Sequence, residues 1–160
     1  MIVSISAVSA AYSARATLEQ MEYGVGKMTE GYLTELSRSK RVASVEQLVD
    51  DFWDRNYSRI KPWYQPESDD VILTASFSLT VGEACRRLGV RNLVASEVDV
   101  ETMKVTYLNF STNKAKRFCE LYGPDAVIDE FYTDSKFDQP MIDMARHAFM
   151  VKGNTITQVK

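Results

Sequence analysis

The segment that decides the fold runs from Ala126 to Asp138 and reads AVIDEFYTDSKFD. It begins as a short apolar and aromatic run, which is typical of a strand, and ends in Asp134 and Asp138, ahead of Pro140 and a helical pattern. Open α/β sheets build their sites from strands that deliver a polar side chain at the C-terminal end, just before a helix. The simpler interpretation is a strand, a turn and a helix with Asp138 as its N-cap.

From residue 71 onwards the chain repeats this alternation of strand and helix. We expect three strands, the third forming a hairpin or flap, at Val71–Ser76, Asn92–Val98 and Met103–Leu108. We expect two helices with the N-caps Ser78 and Thr112, which end at Gly89 and Gly123. A last helix carries Met141, Met144, Ala145 and Ala148, and strands at 147–151 and 155–159 follow it. This alternation predicts an α/β fold with a doubly wound, mostly parallel sheet.

Helical patterns dominate the preceding part of the chain. Residues 1–8 alternate weakly and fit a short strand, whereas residues 9–23 have helical spacing. The clearest helix follows a capping box formed by Ser44 and Gln47, keeps one apolar face and ends at Pro62. We therefore expect a helical segment before the sheet.

The composition suits one ordinary domain with a sizeable core, because 45% of the 160 residues are hydrophobic. A net charge of −3 and the lack of a basic run argue against nucleic-acid binding. No apolar run approaches the roughly 20 residues that a membrane helix needs. The N-terminus lacks the charged region with which a signal peptide begins, so we do not expect a signal peptide. Cys85 and Cys119 form no CxxC pair, so we expect buried free thiols and a cytoplasmic protein.

One predicted strand end and one predicted helix start carry residues suited to binding an anion. Thr74 and Ser76, with Ala75 between them, lie just before a predicted helix N-terminus, although turn and cap chemistry explains them equally well. Lys114 lies in the first turn of its predicted helix, where the helix dipole disfavours a cation by about 0.3–1 kcal/mol. A bound anion would reverse that penalty.

The acidic pair completes the pattern. Asp138 is explained as an N-cap, but Asp134 at the end of a buried strand is harder to explain as structure. A hydroxyl, a lysine and two carboxylates on one sheet edge describe a site for phosphate and Mg²⁺. His147 is the single histidine, and without partners we interpret it as a packing or surface residue.

In this order, these residues resemble the motifs of the haloacid dehalogenase-like (HAD) phosphatase superfamily, close to its phosphoserine-phosphatase-like branch. Val71–Gly89 resembles the second motif, Asn113–Arg117 the third, and Phe131–Asp138 the fourth, the acidic DxxxD segment. The match runs from about residue 41 to the end of the sequence. Each motif is short, and the likeness rests on the set.

The resemblance implies a HAD-like, Rossmann-like core over residues 63–160 and a helical cap-like segment over residues 1–62. It also implies that Thr74, Ala75, Ser76 and Lys114 bind phosphate. Asp134 would ligate Mg²⁺ and Asp138 would support the site, so that Lys114, Asp134 and Asp138 form the catalytic set. The expected partner is a small phosphorylated metabolite.

The chain departs from the family at its first motif, DxDx[TV], whose first aspartate is the nucleophile. No DxD occurs anywhere in the sequence, so no nucleophile is assigned. We expect a truncated member that lacks the nucleophile strand, which is central in this family. In the alternative account, Met1–Ser6 occupies the first strand, with Ser4 and Ser6 where the acids would be.

The sequence thus favours a phosphomonoester hydrolase lineage whose present chain has little or no turnover. The alternative is a non-catalytic domain that binds a phosphorylated ligand or a protein partner. An unrelated Rossmann-like domain is disfavoured because no GxGxxG turn occurs. The sequence specifies neither the substrate nor the oligomeric state.

Overall fold

A computed structural model describes residues 1–5, 45–102 and 104–160 of the chain. The strands are β1 (Ile2–Ile5), β2 (Val71–Phe77), β3 (Asn92–Asp99), β4 (Lys104–Tyr107), β5 (Ile128–Thr133), β6 (Ala145–Lys152) and β7 (Thr155–Gln158). The helices are α1 (Val45–Asn56), α2 (Ser78–Leu88), α3 (Thr112–Tyr122) and α4 (Gln139–Met144), with 3-10 turns at Tyr57–Arg59 and Lys136–Asp138. The described part is therefore α/β, as the alternation predicts.

The described strands form one mixed seven-stranded sheet in the order β4-β3-β2-β1-β5-β6-β7. The pairs β1–β2, β1–β5, β2–β3 and β5–β6 are parallel. The two outermost pairs, β3–β4 and β6–β7, are antiparallel. The predicted hairpin of the second and third strands is thus confirmed, since β4 folds back on β3.

β1 lies in the middle of the sheet, between β2 and β5. Ile2 pairs with Val71 on one side and with Phe131 on the other. The expectation that the central strand is absent is therefore wrong, because Ile2–Ile5 fill its place and supply backbone partners to both neighbours. Ile2–Ile5 also belong to the sheet although the sequence groups them with the cap-like segment, whereas Ser6 lies outside the described residues.

The two largest clusters of buried side chains among the described residues lie on opposite faces of the sheet. Leu73 belongs to a cluster with Phe118 of α3 and Met141 of α4, whereas its neighbour Ile72 belongs to a cluster with Val81 of α2. Successive residues of a strand point to opposite faces of a sheet. Helices therefore pack on both faces of this sheet, and each face has its own apolar core.

The helix ends confirm the predicted glycines and correct the predicted caps. Gly89 ends α2 in the left-handed conformation, at φ 75°, and Gly123 ends α3. Ser78 and Thr112 are not the N-caps, because both are the first helical residues. The Ser78 hydroxyl instead donates to Glu97 Oε2 at 2.7 Å, a contact across the sheet that no local pattern reveals.

The last predicted helix is too long. α4 ends at Met144, and Ala145 and Ala148 lie in β6, where they are 2% and 0% exposed. Ala145 pairs with Ile128 and Ala148 with Phe131 of β5. Sheet pairing beside a crowded core therefore overrides the helical preference of alanine.

Several other predictions fall on the described residues. α1 is a helix as expected, but its predicted cap Ser44 lies outside the described residues. Cys85 is buried and Cys119 is half-buried, and both thiols are free. Within the described ranges, no helix combines the length and apolar character that membrane spanning requires.

Candidate functional site

The predicted site residues lie toward one edge of the sheet. Because β1, β2 and β5 run parallel, their C-terminal ends meet at that edge. Thr74 is the fourth of the seven residues of β2 and pairs with Ile5, the last residue of β1. Asp134 directly follows Thr133, the last residue of β5. Asp138 ends the 3-10 turn that comes next.

A buried ion pair forms the centre of the site. Lys114 Nζ lies 2.6 Å from Asp138 Oδ1, and each side chain is only 1% exposed. The Thr133 hydroxyl donates to the other carboxylate oxygen, Asp138 Oδ2, at 2.7 Å. Asp138 is the N-cap residue of α4, but its side chain makes no capping hydrogen bond. Its carboxylate therefore serves Lys114 and Thr133, which rules out the simple N-cap interpretation.

Burial is the main influence on the pKa of Lys114. Loss of solvent lowers the pKa of its ammonium group from 10.5, and the nearby carboxylate of Asp138 opposes that change. Asp134 also raises the pKa of Lys114, by a weaker electrostatic interaction. The short distance to Asp138 is typical of a charge-assisted hydrogen bond, so we assign the ion-paired form to Lys114.

The end of β2 forms the second part of the site. Thr74 is fully buried, and its Oγ1 accepts a hydrogen bond from the Ser76 amide at 3.0 Å. The Ser76 hydroxyl oxygen is buried and has no hydrogen-bond partner among the residues that the structure describes. A buried polar atom without a partner is costly unless a ligand or water completes it. Ser76 Oγ, two residues before the start of α2, thus lacks the partner that a buried hydroxyl usually has.

Asn109 connects the two parts of the site. Its side-chain amide donates to the carbonyls of Thr74, at 2.9 Å, and Val94, at 3.0 Å. Its backbone amide donates to Ser96 Oγ, and the Ser96 hydroxyl donates to the Ala75 carbonyl at 2.8 Å. Asn109 and Ser96 are fully buried. They thereby fix the loop before α3, and thus Lys114, against the end of β2.

A strained turn begins α3. Ser111 is its N-cap residue, is 3% exposed and has φ 51°, a value that L residues other than glycine rarely adopt. Its carbonyl accepts a hydrogen bond from the Lys114 amide at 3.1 Å. Strain of this kind costs of order 1–3 kcal/mol and persists where the surroundings enforce it. Here it accompanies the buried placement of Lys114.

Sequence reasoning missed Ser96, Asn109, Ser111 and Thr133. Asn109 offered a signal, since it stands between Leu108 and Phe110 in an apolar run, where an amide must find partners. Thr133 and Ser96 offered no such signal, because a hydroxyl side chain within a strand pattern does not reveal its hydrogen-bond partner. The positive φ of Ser111 follows from the tertiary fit of the loop.

Asp134 is exposed, unlike Asp138. With Lys114 at +1 and two carboxylates at −1 each, the three side chains sum to a charge of −1. Among the described residues, no group of three or more His, Cys, Asp or Glu side chains is arranged to hold a metal ion. We therefore derive no chemical step through Mg²⁺.

One other prediction concerns a residue away from this network. His147 is exposed and lies on β6, where its Nδ1 is 3.5 Å from Gln158 Nε2, in agreement with a surface role.

Comparison with known proteins adds little to this geometry. No family model matches the chain, and no curated protein matches it. One similar solved structure is the protein with unknown function from Bordetella pertussis Tohama I, with a TM-score of 0.48 and 17% identity. The similarity covers 84% of this chain and 66% of that one, so the chain spans just under two thirds of its length.

Proposed function

We propose that the chain is a phosphate-binding domain of the HAD phosphatase lineage with little or no turnover of its own. Its site would hold a small phosphorylated ligand between residues 74–76 of β2 and Lys114. The observation that carries the proposal is the buried Lys114–Asp138–Thr133 network at the C-terminal edge of the sheet. A buried lysine is unfavourable for folding unless it is paired, so its position at the predicted site suggests a functional role.

The sheet order supports a HAD-like, doubly wound core. β1, in the middle, is flanked by the strand that carries Thr74 and by the strand that precedes Asp134. In such a sheet a ligand binds beyond the C-terminal ends of the strands. The motifs of the resemblance would thus surround one point, opposite the end of β1.

The missing nucleophile supports binding over turnover. The sequence contains no DxD, and Lys114 and Asp138 satisfy each other's charge. A covalent phosphoryl transfer needs an activated attacking group, and neither side chain of that pair supplies one. The alternative function, recognition of a phosphorylated ligand or protein partner, needs only the donors, and Ser76 Oγ is one that has no described partner.

Charge predicts weak binding. The three ionised side chains sum to −1, which opposes a phosphate dianion. Complete members of the family use Mg²⁺, and Asp134 is the exposed carboxylate that would face such an ion here. Mg²⁺ is commonly bound by one or two carboxylates together with substrate phosphates. We therefore propose that any Mg²⁺ effect depends on Asp134 and on a bound phosphorylated ligand.

The same proposal includes a cytoplasmic setting for the protein. Its support is the pair of free cysteines, Cys85 and Cys119, because reducing compartments keep thiols unpaired.

A phosphatase assay tests the catalytic half of the proposal. With an aryl phosphate and Mg²⁺, we expect wild-type protein to release no more phosphate than a buffer blank. The matched variants are Asp134→Asn and Asp125→Asn, which remove one exposed carboxylate each, the second from outside the site. Wild-type turnover that Asp134→Asn abolishes and Asp125→Asn preserves would overturn the claim of an inactive site.

Calorimetry with inorganic phosphate tests the binding half. Without a divalent ion, we expect millimolar affinity for wild type, tighter affinity for Asp134→Asn and unchanged affinity for Asp125→Asn. The reason is that Asp134, unlike Asp125, places a negative charge beside the predicted phosphate position. If all three proteins give no heat above dilution at tens of millimolar phosphate, the site does not bind phosphate.

A further inference from the structure

A cavity of about 370 Å³ lies beside the C-terminal end of α1, away from the candidate site. Its walls include four aromatic side chains, Phe52, Trp53, Trp63 and Tyr64. None of its lining residues belongs to the phosphate-binding site proposed above. Its volume falls near the lower end of the range for small-molecule sites, roughly 300–1,000 Å³.

Contacts with the rest of the protein hold the aromatic walls in place. Trp53 Nε1 donates to the Thr80 carbonyl of α2 at 2.7 Å, which fixes its indole ring. Trp63 stacks on Tyr132 of β5, with ring centroids 5.7 Å apart. Phe52 meets Trp53 edge to face and remains 49% exposed. The cavity is therefore largely preformed, which lowers the entropic cost of binding a ligand.

The charged residues of the cavity are both basic. Arg59 and Lys61 line it and are exposed, and no carboxylate lines it. The Arg59 guanidinium donates to Asn56 Oδ1 at 3.0 Å. Within residues 45–102 and 104–160, neither Arg59 nor Lys61 has an ion-pair partner. This positive rim contrasts with the net charge of −3 for the whole chain.

We propose that this cavity binds a compact amphipathic anion, with one or two fused rings and a single acidic group. The apolar walls take the rings, because burying flat apolar surface between aromatic side chains is favourable. The acidic group faces Arg59 and Lys61 at the rim, where a guanidinium offers paired donors to a carboxylate. The proposal is independent of phosphate binding.

Nuclear magnetic resonance offers a direct test, because both tryptophans of the chain line the cavity. The two indole N–H signals therefore report on the cavity walls. We expect 1-naphthoate to shift both signals saturably. Its affinity should exceed that of the neutral analogue 1-naphthalenemethanol by up to roughly fivefold, as expected for a solvent-exposed charge contact.

A pair of double variants with the same net charge tests the role of the rim. Arg59→Gln/Lys61→Gln should reduce the affinity for 1-naphthoate to that of the neutral analogue and leave the analogue unaffected. Lys104→Gln/Lys152→Gln removes two exposed charges from β4 and β6 and should change neither affinity. Circular dichroism of each variant verifies that it is folded.

Three results would overturn the proposal. The first is that neither compound shifts either indole signal in a saturable way. The cavity would then be filled or closed in solution. The second is equal affinity for the charged and neutral compounds. The third is an equal loss of naphthoate affinity in the two double variants, which would mean that net charge rather than the rim attracts the anion.

Discussion

Strand β5 has an ion pair near each of its ends, and the two differ in their surroundings. At its N-terminal end Asp129 pairs with Arg146 at 2.7 Å, with side chains 72% and 65% exposed. Beyond its C-terminal end Asp138 pairs with Lys114 at 2.6 Å, with both side chains 1% exposed. The distances are nearly equal, so distance alone does not distinguish them.

The difference in exposure implies a different energetic cost for each ion pair. An exposed pair costs little and contributes little, because water screens both charges. A buried pair must recover the loss of hydration of both groups and is seldom favoured over apolar packing for stability alone. We therefore propose that the Lys114–Asp138 pair serves the predicted site rather than folding stability alone.

The largest effect is expected from breaking the buried pair. Asp138→Ala removes the carboxylate that lies 2.6 Å from the buried Lys114 ammonium group and should lower the free energy of unfolding by about 3–5 kcal/mol. Lys114→Met/Asp138→Leu should lose less, because it removes both charges. Urea denaturation measures each value. A loss below about 1 kcal/mol for Asp138→Ala, as expected for an exposed pair, would contradict the comparison.

The next effect concerns the third member of the network. Thr133→Val keeps the shape of the side chain but removes the hydroxyl that donates to Asp138 Oδ2 at 2.7 Å. We expect a loss of about 1–3 kcal/mol in the free energy of unfolding, because a buried carboxylate oxygen loses a donor. Thr157→Val on the exposed strand β7 is the control. Equal losses in the two variants would show that the Thr133 hydrogen bond adds nothing.

Alkaline pH provides a third test. Because burial lowers the pKa of Lys114, the unfolded chain binds more protons than the folded one between that pKa and 10.5. This difference makes the free energy of unfolding rise with pH in that window. Burial also raises the pKa of Cys85 from 9.0 to about 11, which contributes the opposite slope.

Comparison with Lys114→Met/Asp138→Leu isolates the lysine, since both proteins share Cys85. Urea denaturation between pH 8 and about 10.5 should show a more negative slope for the double variant, because it lacks the rising contribution. Identical slopes would mean that Lys114 keeps an ordinary pKa and is well hydrated. That result would remove the distinction between the two ion pairs.

The smallest effect is expected at the exposed pair. Asp129→Ala should lower the free energy of unfolding by at most about 1 kcal/mol, and the loss should shrink as salt screens the charges. The measurement is urea denaturation at low and high ionic strength. A loss that exceeds this limit and is independent of salt would show that Asp129 contributes more than a screened ion pair.

Local pattern was sufficient for much of the framework. The run Val71–Ser76, the turn at Gly89 and the strand before Asp134 follow from hydrophobic spacing and from glycine at helix ends. The predicted end of α4 was wrong because Ala145 and Ala148 pair with residues of β5, which local sequence patterns do not reveal. The central place of β1 likewise depends on long-range pairing.

The site was predictable in its residue types and less so in its contacts. Lys114 and Asp138 were singled out by their positions in predicted elements, but their pairing with each other and with Thr133 required the fold. Asn109 escaped because its partners, the carbonyls of Thr74 and Val94, are backbone groups that no side-chain pattern marks. Burial separates Asp134 from Asp138, and the sequence alone treats them alike.

The central claim, that the end of β2 binds phosphate, is tested most directly by Ser76→Ala. Ser76 Oγ has no hydrogen-bond partner within the described residues, so its removal should leave the free energy of unfolding unchanged or slightly higher. Ser78→Ala is the control, since the Ser78 hydroxyl donates to Glu97.

Calorimetric titration with inorganic phosphate then measures whether the Ser76 hydroxyl contributes to phosphate binding. We predict that Ser76→Ala binds phosphate about tenfold more weakly than wild type, because it loses a hydrogen bond to a charged ligand, and that Ser78→Ala binds as wild type does. Equal phosphate affinity in wild type and Ser76→Ala, or no binding by wild type, would contradict the account.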